Sequence, residues 1–230
     1  MTPHFRTRLG GTRRSLAVMV DVPAMAEAER AALADLLESL TPEQWQSPSL
    51  CEGWTVRQVA AHVIGYESLG FGSVVLLMAR NGFRLSRANA ARLDEVAGWS
   101  TERLVDEYRS HLRPHGVTAA FGGRVGLTDC TIHHQDIRRP LGLPRTIPDE
   151  QLRVVLDFMP RARALPAPRN MRGLRLVATD LDWSRGSGPE VRGPGEALMV
   201  ALAGRPSALA ALAGDGVDVL ELRLRGVSAG

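Results

Sequence analysis

Leu127-Thr128-Asp129-Cys130-Thr131-Ile132-His133-His134-Gln135-Asp136-Ile137-Arg138-Arg139-Pro140 contains no glycine or proline until its last position. Pro140 and Gly142 then stop it, which predicts a helix from about Leu127 to Arg139. Within that helix Asp129 and His133 stand four residues apart, so a carboxylate and an imidazole share one face, about 40° apart, and both can reach one metal ion. The same spacing also suits a solvated, hydrogen-bonded pair. His134 points about 100° away from His133 and reads as a surface residue or as one outside the first ring of ligands. Asp136, three residues beyond His133, either orients that imidazole or pairs with Arg139. Cys130 points about 100° away from Asp129 and reads as a small buried hydrophobe.

Further helices flank this one. Between Val22 and Leu40, Leu33, Leu36, Leu37 and Leu40 form one face and Glu27, Glu29 and Glu38 the other, an amphipathic helix that Thr41-Pro42 ends. A turn-rich segment, Pro48-Ser49-Leu50-Cys51-Glu52-Gly53-Trp54, leads to a helix that Thr55 can cap. Val56, Val59 and Val63 mark its core stripe, and His62 lies within about 60° of it. An imidazole there is either a hydrogen-bonded core histidine or a ligand. Taken with Asp129 and His133, His62 would make three ligands on two helices and leave positions open, as catalytic metal sites require. Leu104, Val105 and Tyr108 predict a helix over about 100–112, and Leu152, Val155, Leu156 and Met159 one over 149–163.

Past residue 164 the pattern changes. Pro166, Pro168 and Gly173 read as a linker, Leu174 to Ala178 as a strand, and Gly186-Ser187-Gly188-Pro189 as a hairpin turn leading to Glu190-Val191. Gly195 to Leu202 reads as a helix ended by Gly204, and Val217 to Leu224 as a closing strand. The expected organisation is a leader over 1–20, a helical bundle over 21–164 and a small α+β domain over 165–230.

The 230 residues are 44% hydrophobic and carry a net charge of only +3, enough apolar material for an ordinary core. No apolar run approaches the ~20 residues of a membrane-spanning helix, so the expectation is no membrane. The isoelectric point near 9.5 reflects arginine chemistry, because all 28 basic residues are Arg and none is Lys. That usage fits a GC-rich bacterial source. A basic face suited to nucleic acid is not evident, since Arg13-Arg14 and Arg138-Arg139 are sparse. Cys51 and Cys130 stand far apart with no metal-ribbon or disulfide spacing, which fits a reducing, cytoplasmic setting. The start, where Thr12-Arg13-Arg14 precedes Leu16 to Val20, faintly resembles an export signal cut short by Asp21; a basic leader, or a true start at Met19, is the plainer reading. No nucleophile elbow, phosphate loop or dinucleotide fingerprint is present.

Several motifs together resemble the mycothiol-dependent maleylpyruvate isomerase family of actinobacteria. They are Trp45, the run Ser49-Leu50-Cys51-Glu52-Gly53-Trp54-Thr55-Val56-Arg57 leading into Ala61-His62, and His133 through Gln135-Asp136-Ile137-Arg138-Arg139-Pro140-Leu141-Gly142. Ala178-Thr179-Asp180, Gly188-Pro189-Glu190-Val191, Gly193-Pro194 and Ala203-Gly204-Arg205 extend the likeness, which spans about Met19 to Leu224. The resemblance implies a DinB-like four-helix bundle followed by a small α+β domain. It also implies a divalent metal, zinc first, at His62, Asp129 and His133, with Asp129 one methylene shorter than the glutamate of the family's isomerase.

The cofactor so implied is mycothiol, a low-molecular-weight thiol that metal coordination would convert to its thiolate. The partner is a small electrophile, isomerised by reversible thiol addition or conjugated outright. Arg205 falls within the resemblance and is the candidate anchor for a carboxylate of substrate or cofactor. Trp54 and Trp183 either line the pocket or pack in the core. The competing reading is a metal-binding or ligand-binding protein of the same fold without turnover.

Overall fold

The computed structural model describes residues 20–67 and 69–226. The leader expected over 1–20 and the alternative start at Met19 lie outside them, save Val20.

Helix α1 (Val22–Ser39) begins where the Asp21 carboxylate accepts from the Ala24 N–H at 3.0 Å, and it ends one residue before Thr41-Pro42. A short α2 (Pro42–Gln46) follows. Helix α3 (Val56–Gly65) is capped by Thr55 as expected, in a reciprocal box with Gln58. Two helices that apolar spacing did not reveal come next, α4 (Phe71–Arg80) and α5 (Leu85–Glu95). Among the described side chains α4 buries none and α5 only Ala88 and Arg92, so neither writes a core stripe into the sequence. Helix α6 (Thr101–Ser110) is capped by Ser100. Helix α7 (Arg124–Arg138) starts three residues earlier than its spacing suggests, after Gly122 and Gly123 turn the chain with φ of 66° and 84°.

α1, α3, α6 and α7 pack on one another as a four-helix bundle. Its interior holds Leu33, Leu37, Val59, Val63, Leu104, Tyr108, Cys130 and Ile137. Tyr108 is wholly buried and donates to the Ala60 carbonyl at 2.8 Å, which satisfies its hydroxyl.

Helix α8 (Asp149–Phe158) gives way to a 3-10 turn at Met159–Arg161, and the expected linker contains a short helix α9 (Ala167–Asn170). That segment is packed rather than free: Ala167 is buried, and Asn170 donates to the Leu202 carbonyl at 2.9 Å. The sheet comprises β1 (Arg175–Ala178), β2 (Ser184–Arg185) and β3 (Glu190–Gly193) in the order β2-β1-β3. The turn at Gly186–Pro189 therefore does not close a hairpin. It carries the chain beneath β1, so that β2 lies antiparallel on one side and β3 parallel on the other. Gly186 and Gly188 permit this passage, since a Cβ on either would collide with a carbonyl, of Leu174 or of Gly173.

Helix α10 (Gly195–Leu202) is apolar apart from Glu196, because every other residue of it is buried. The last element corrects the sequence reading: residues 217–224 form a helix, α11 (Val217–Arg225), not a closing strand. Alternation of apolar and charged residues imitates a strand there, but Leu220 and Leu224, four apart, face the core while Leu222 is 71% exposed.

A second core joins the sheet to α8, α10 and α11 and also takes Val22, Ala26, Leu127 and Ile132. α1 and α7 therefore serve both cores. Polar groups on the flanks of α7 fall along the seam between them, and this is what positions the site.

Candidate metal centre

His62 on α3 and Asp129 and His133 on α7 bring one ligand-capable atom each to within 4.8 Å of one another. Two tightly packed helices do this, since α7 crosses α3 with Cys130 and Ile137 buried in the same core as Val59 and Val63. His133 Nε2 lies 3.6 Å from Asp129 Oδ1. Ligands of one tetrahedral ion at about 2.1 Å stand roughly 3.4 Å apart, so this pair already has ligand spacing. His133 Nδ1 is held at 2.8 Å by Asp136 Oδ2, which leaves Nε2 as the nitrogen aimed at Asp129.

Asp136 is itself clamped. Arg205 donates from Nε to Oδ1 at 2.9 Å and from Nη2 to Oδ2 at 2.5 Å, and the Cys51 thiol donates to Oδ2 at 3.2 Å. The Asp136 carboxyl is wholly buried, which alone would raise its pKa. The Arg205 and His133 charges outweigh that and hold it well below the usual carboxylate range. Of the two pairings open to Asp136 in the sequence, the one with His133 forms; Arg139 instead approaches Glu196, at 3.8 Å. The expectation for Arg205 is likewise redirected, because its two-pronged face grips a carboxylate of the protein itself and its remaining contacts go to the Ala203 carbonyl and Cys51 Sγ. Neither residue's long-range partner is written in local spacing.

The electrostatics of the two histidines diverge. Burial and then the neighbouring His133 charge push His62 down to about 4, so it is neutral at pH 7. Burial disfavours charge on His133 too, but Asp129, Asp136 and Cys51 reverse the balance and raise it to about 10. His62 Nδ1 is buried and has no hydrogen-bond partner among the described residues. A neutral imidazole with an orphaned buried nitrogen, a second imidazole backed by a carboxylate and the facing Asp129 carboxylate together fit a divalent ion such as zinc. Cys51, His133 and Asp136 also converge, but the Arg205 guanidinium, 3.3 Å from Cys51 Sγ, places positive charge where a cation would have to sit.

Trp54 and Tyr66 wall the His62 ring, their centroids 5.2 and 5.9 Å from it. Trp183 is a core residue of the sheet layer and donates to Asp157. Both cysteines are free, and Cys130 is the buried hydrophobe expected.

His134 corrects the surface reading. It is wholly buried on the far flank of α7, 2.9 Å from Glu29 Oε1 of α1, and accepts from Arg138 Nε at 2.8 Å. Arg145 and Gln151 complete the network on Glu29 Oε2, each at 2.8 Å. This buried polar cluster ties α1 and α8 to the helix that carries Asp129 and His133. Glu29→Ala would leave Arg145 facing His134 without its counter-charge, and we expect it to cost about 3–5 kcal/mol in thermal or urea unfolding.

The fold and this site define a class: a four-helix bundle with a small α+β layer and a histidine–carboxylate cluster that could hold a metal ion. Residues 26–114 match the family described as mycothiol maleylpyruvate isomerase N-terminal domain. The crystal structure of a histidine-to-alanine mutant of the mycothiol-dependent maleylpyruvate isomerase is similar at a TM-score of 0.57 and 15% identity, over 84% of this chain and 91% of that one. Another crystal structure of the mycothiol-dependent maleylpyruvate isomerase gives 0.52 and 13% over the same shares. No curated protein matches at the sequence level. Residues 26–114 are thus similar in sequence to that family's N-terminal domain, and most of the chain shares the fold of the two crystal structures. His62 lies within the matched residues; Asp129, His133 and Arg205 lie beyond them, so their assignment leans on geometry.

Proposed function

We propose that this chain is a metal-dependent enzyme that uses a low-molecular-weight thiol, mycothiol, to isomerise or conjugate a small electrophile. The observation that carries the reading is the convergence of His62, Asp129 and His133 with a buried nitrogen of His62 left unpartnered. A divalent ion held there would supply Lewis acidity that keeps a coordinated thiol ionised at neutral pH. His62 and His133 offer the nitrogen ligands and Asp129 the oxygen. Asp136 fixes the His133 ring and makes it a better donor, and Arg205 holds Asp136 in place as a positioning residue. Trp54 and Tyr66 keep an apolar wall against His62, which favours exclusion of water from that side.

The test is metal content by elemental mass spectrometry on protein without a histidine tag, beside His62→Ala and His133→Ala. We expect about one equivalent in the parent chain and little in either variant, together with mycothiol-dependent consumption of an electrophile, maleylpyruvate being the first to try. Failure to bind zinc or nickel on reconstitution would overturn the proposal. Bound metal with no thiol-dependent turnover across a panel of electrophiles would favour the ligand-binding alternative.

A further inference from the structure

Outside the site, four of the seven large apolar residues exposed among those described fall on the segment that apolar spacing failed to mark. Val75 and Leu76 on α4 are 46% and 50% exposed, Phe83 in the following turn 71%, and Leu85 at the start of α5 38%. They fall within eleven residues of chain, and among the described residues α4 packs chiefly on α5 and the short 3-10 turn at Gly116–Ala119. Scattered apolar residues on a surface need no explanation, but a helix with no buried side chain among those described, flanked by such a cluster, presents a face that no described residue covers.

The charge around this face is one-sided. No acidic residue occurs between Glu67 and Asp94, nor between Glu107 and Asp129, the stretch containing the 3-10 turn under α4. Arg80, Arg84 and Arg87, close to the apolar residues in sequence, are exposed and form no ion pair among the described residues. The residues outside the described set contain no Asp or Glu that would supply one.

We infer that this face docks the protein on an anionic lipid surface. Aliphatic and aromatic side chains seated at the headgroup boundary, with neighbouring arginines that reach lipid phosphates, are the chemistry of a helix lying in a membrane interface. That no helix among the described residues is long and apolar enough to cross a membrane is a separate matter, since α4 has ten residues and would lie on the surface, not cross it. Charge complementarity argues against a second copy of the chain, because three unpaired arginines would face three. It argues against nucleic acid as well, since Val75, Leu76 and Phe83 at the centre offer phosphate and base edges nothing.

The experiment is co-sedimentation of the full chain with vesicles of phosphatidylglycerol and phosphatidylcholine, and with vesicles of phosphatidylcholine alone. Binding is expected to the first and not the second, and to weaken with added salt. Arg84→Glu with Arg87→Glu is expected to weaken it at least about twentyfold, about fivefold for each arginine lost near an anionic surface. Leu76→Glu with Phe83→Glu is expected to abolish it. All four positions are exposed, so circular dichroism should show the fold intact. The point variants distinguish this face from the basic residues near the N-terminus. Absence of binding to anionic vesicles, binding that neither variant alters, or a dimer or RNA complex that the Phe83→Glu variant disrupts in the absence of vesicle binding would each overturn the inference. None of these readouts depends on metal or turnover.

Discussion

Zinc affinity is expected to rise about tenfold for each unit of pH between about 4 and about 10. The reason lies in how the two histidines start. Without a metal, His133 is held between Asp129 and Asp136 and keeps its proton up to about 10, whereas His62 is neutral above about 4. A metal ligand must present a lone pair, so His133 Nε2 has to give up its proton when zinc binds, while His62 has nothing to give. One proton released per zinc across that window is a slope of one in log affinity against pH. It steepens below about 4, where His62 also protonates, and it flattens above about 10. From pH 5.5 to 7.5 the affinity should change about a hundredfold. Calorimetric titration with zinc in buffers of different ionisation enthalpy reads the proton count directly. An affinity independent of pH between 5.5 and 7.5 would mean that His133 Nε2 is not a ligand.

Asp136→Asn is expected to lower zinc affinity about ten- to a hundredfold, although Asp136 touches no metal position. The carboxylate fixes which nitrogen of His133 carries the hydrogen and faces it towards Asp129 with the other. An amide at that position holds the ring less firmly and withdraws the negative charge. The same change leaves the Arg205 guanidinium without its counter-charge, and loss of one partner of such a pair costs about 3–5 kcal/mol of stability. The two effects separate in a second variant. Asp136→Asn combined with Arg205→Met removes both charges, and it should recover much of the stability without restoring zinc affinity. If affinity instead recovers with stability, Asp136 supports the fold and does not position the ligand. Affinity unchanged in Asp136→Asn would remove it from the site altogether.

The legible part of the site was the part governed by one helix. Asp129 and His133 are four residues apart, and 3.6 residues per turn place them together whatever surrounds them. The same rule exposed the four bundle helices through Leu33 and Leu37, Val59 and Val63, Leu104 and Tyr108, and the stretch ending at Pro140; Thr55 marked a helix start just as locally. His62 could be set beside its core stripe but not shown to meet His133, because that meeting depends on how α3 and α7 pack.

Local pattern misled where two periods share one sequence. Val217 to Leu224 alternates as a strand would, and only burial of Leu220 and Leu224 against the second core selects a helix. α4 and α5 went unread because they bury so little that no face is written into them.

The sequence alone determined the helices that carry an apolar stripe, and with them the Asp129–His133 pair, since neighbours along a helix are fixed by its pitch. Tertiary structure alone decided which carboxylate Arg205 grips, 69 residues away, that His134 is buried against Glu29, and that β1 lies between β2 and β3. Those outcomes rest on contacts between segments distant in the chain, chosen by the burial of α1 and α7 in two cores at once, and no spacing within a single segment encodes them.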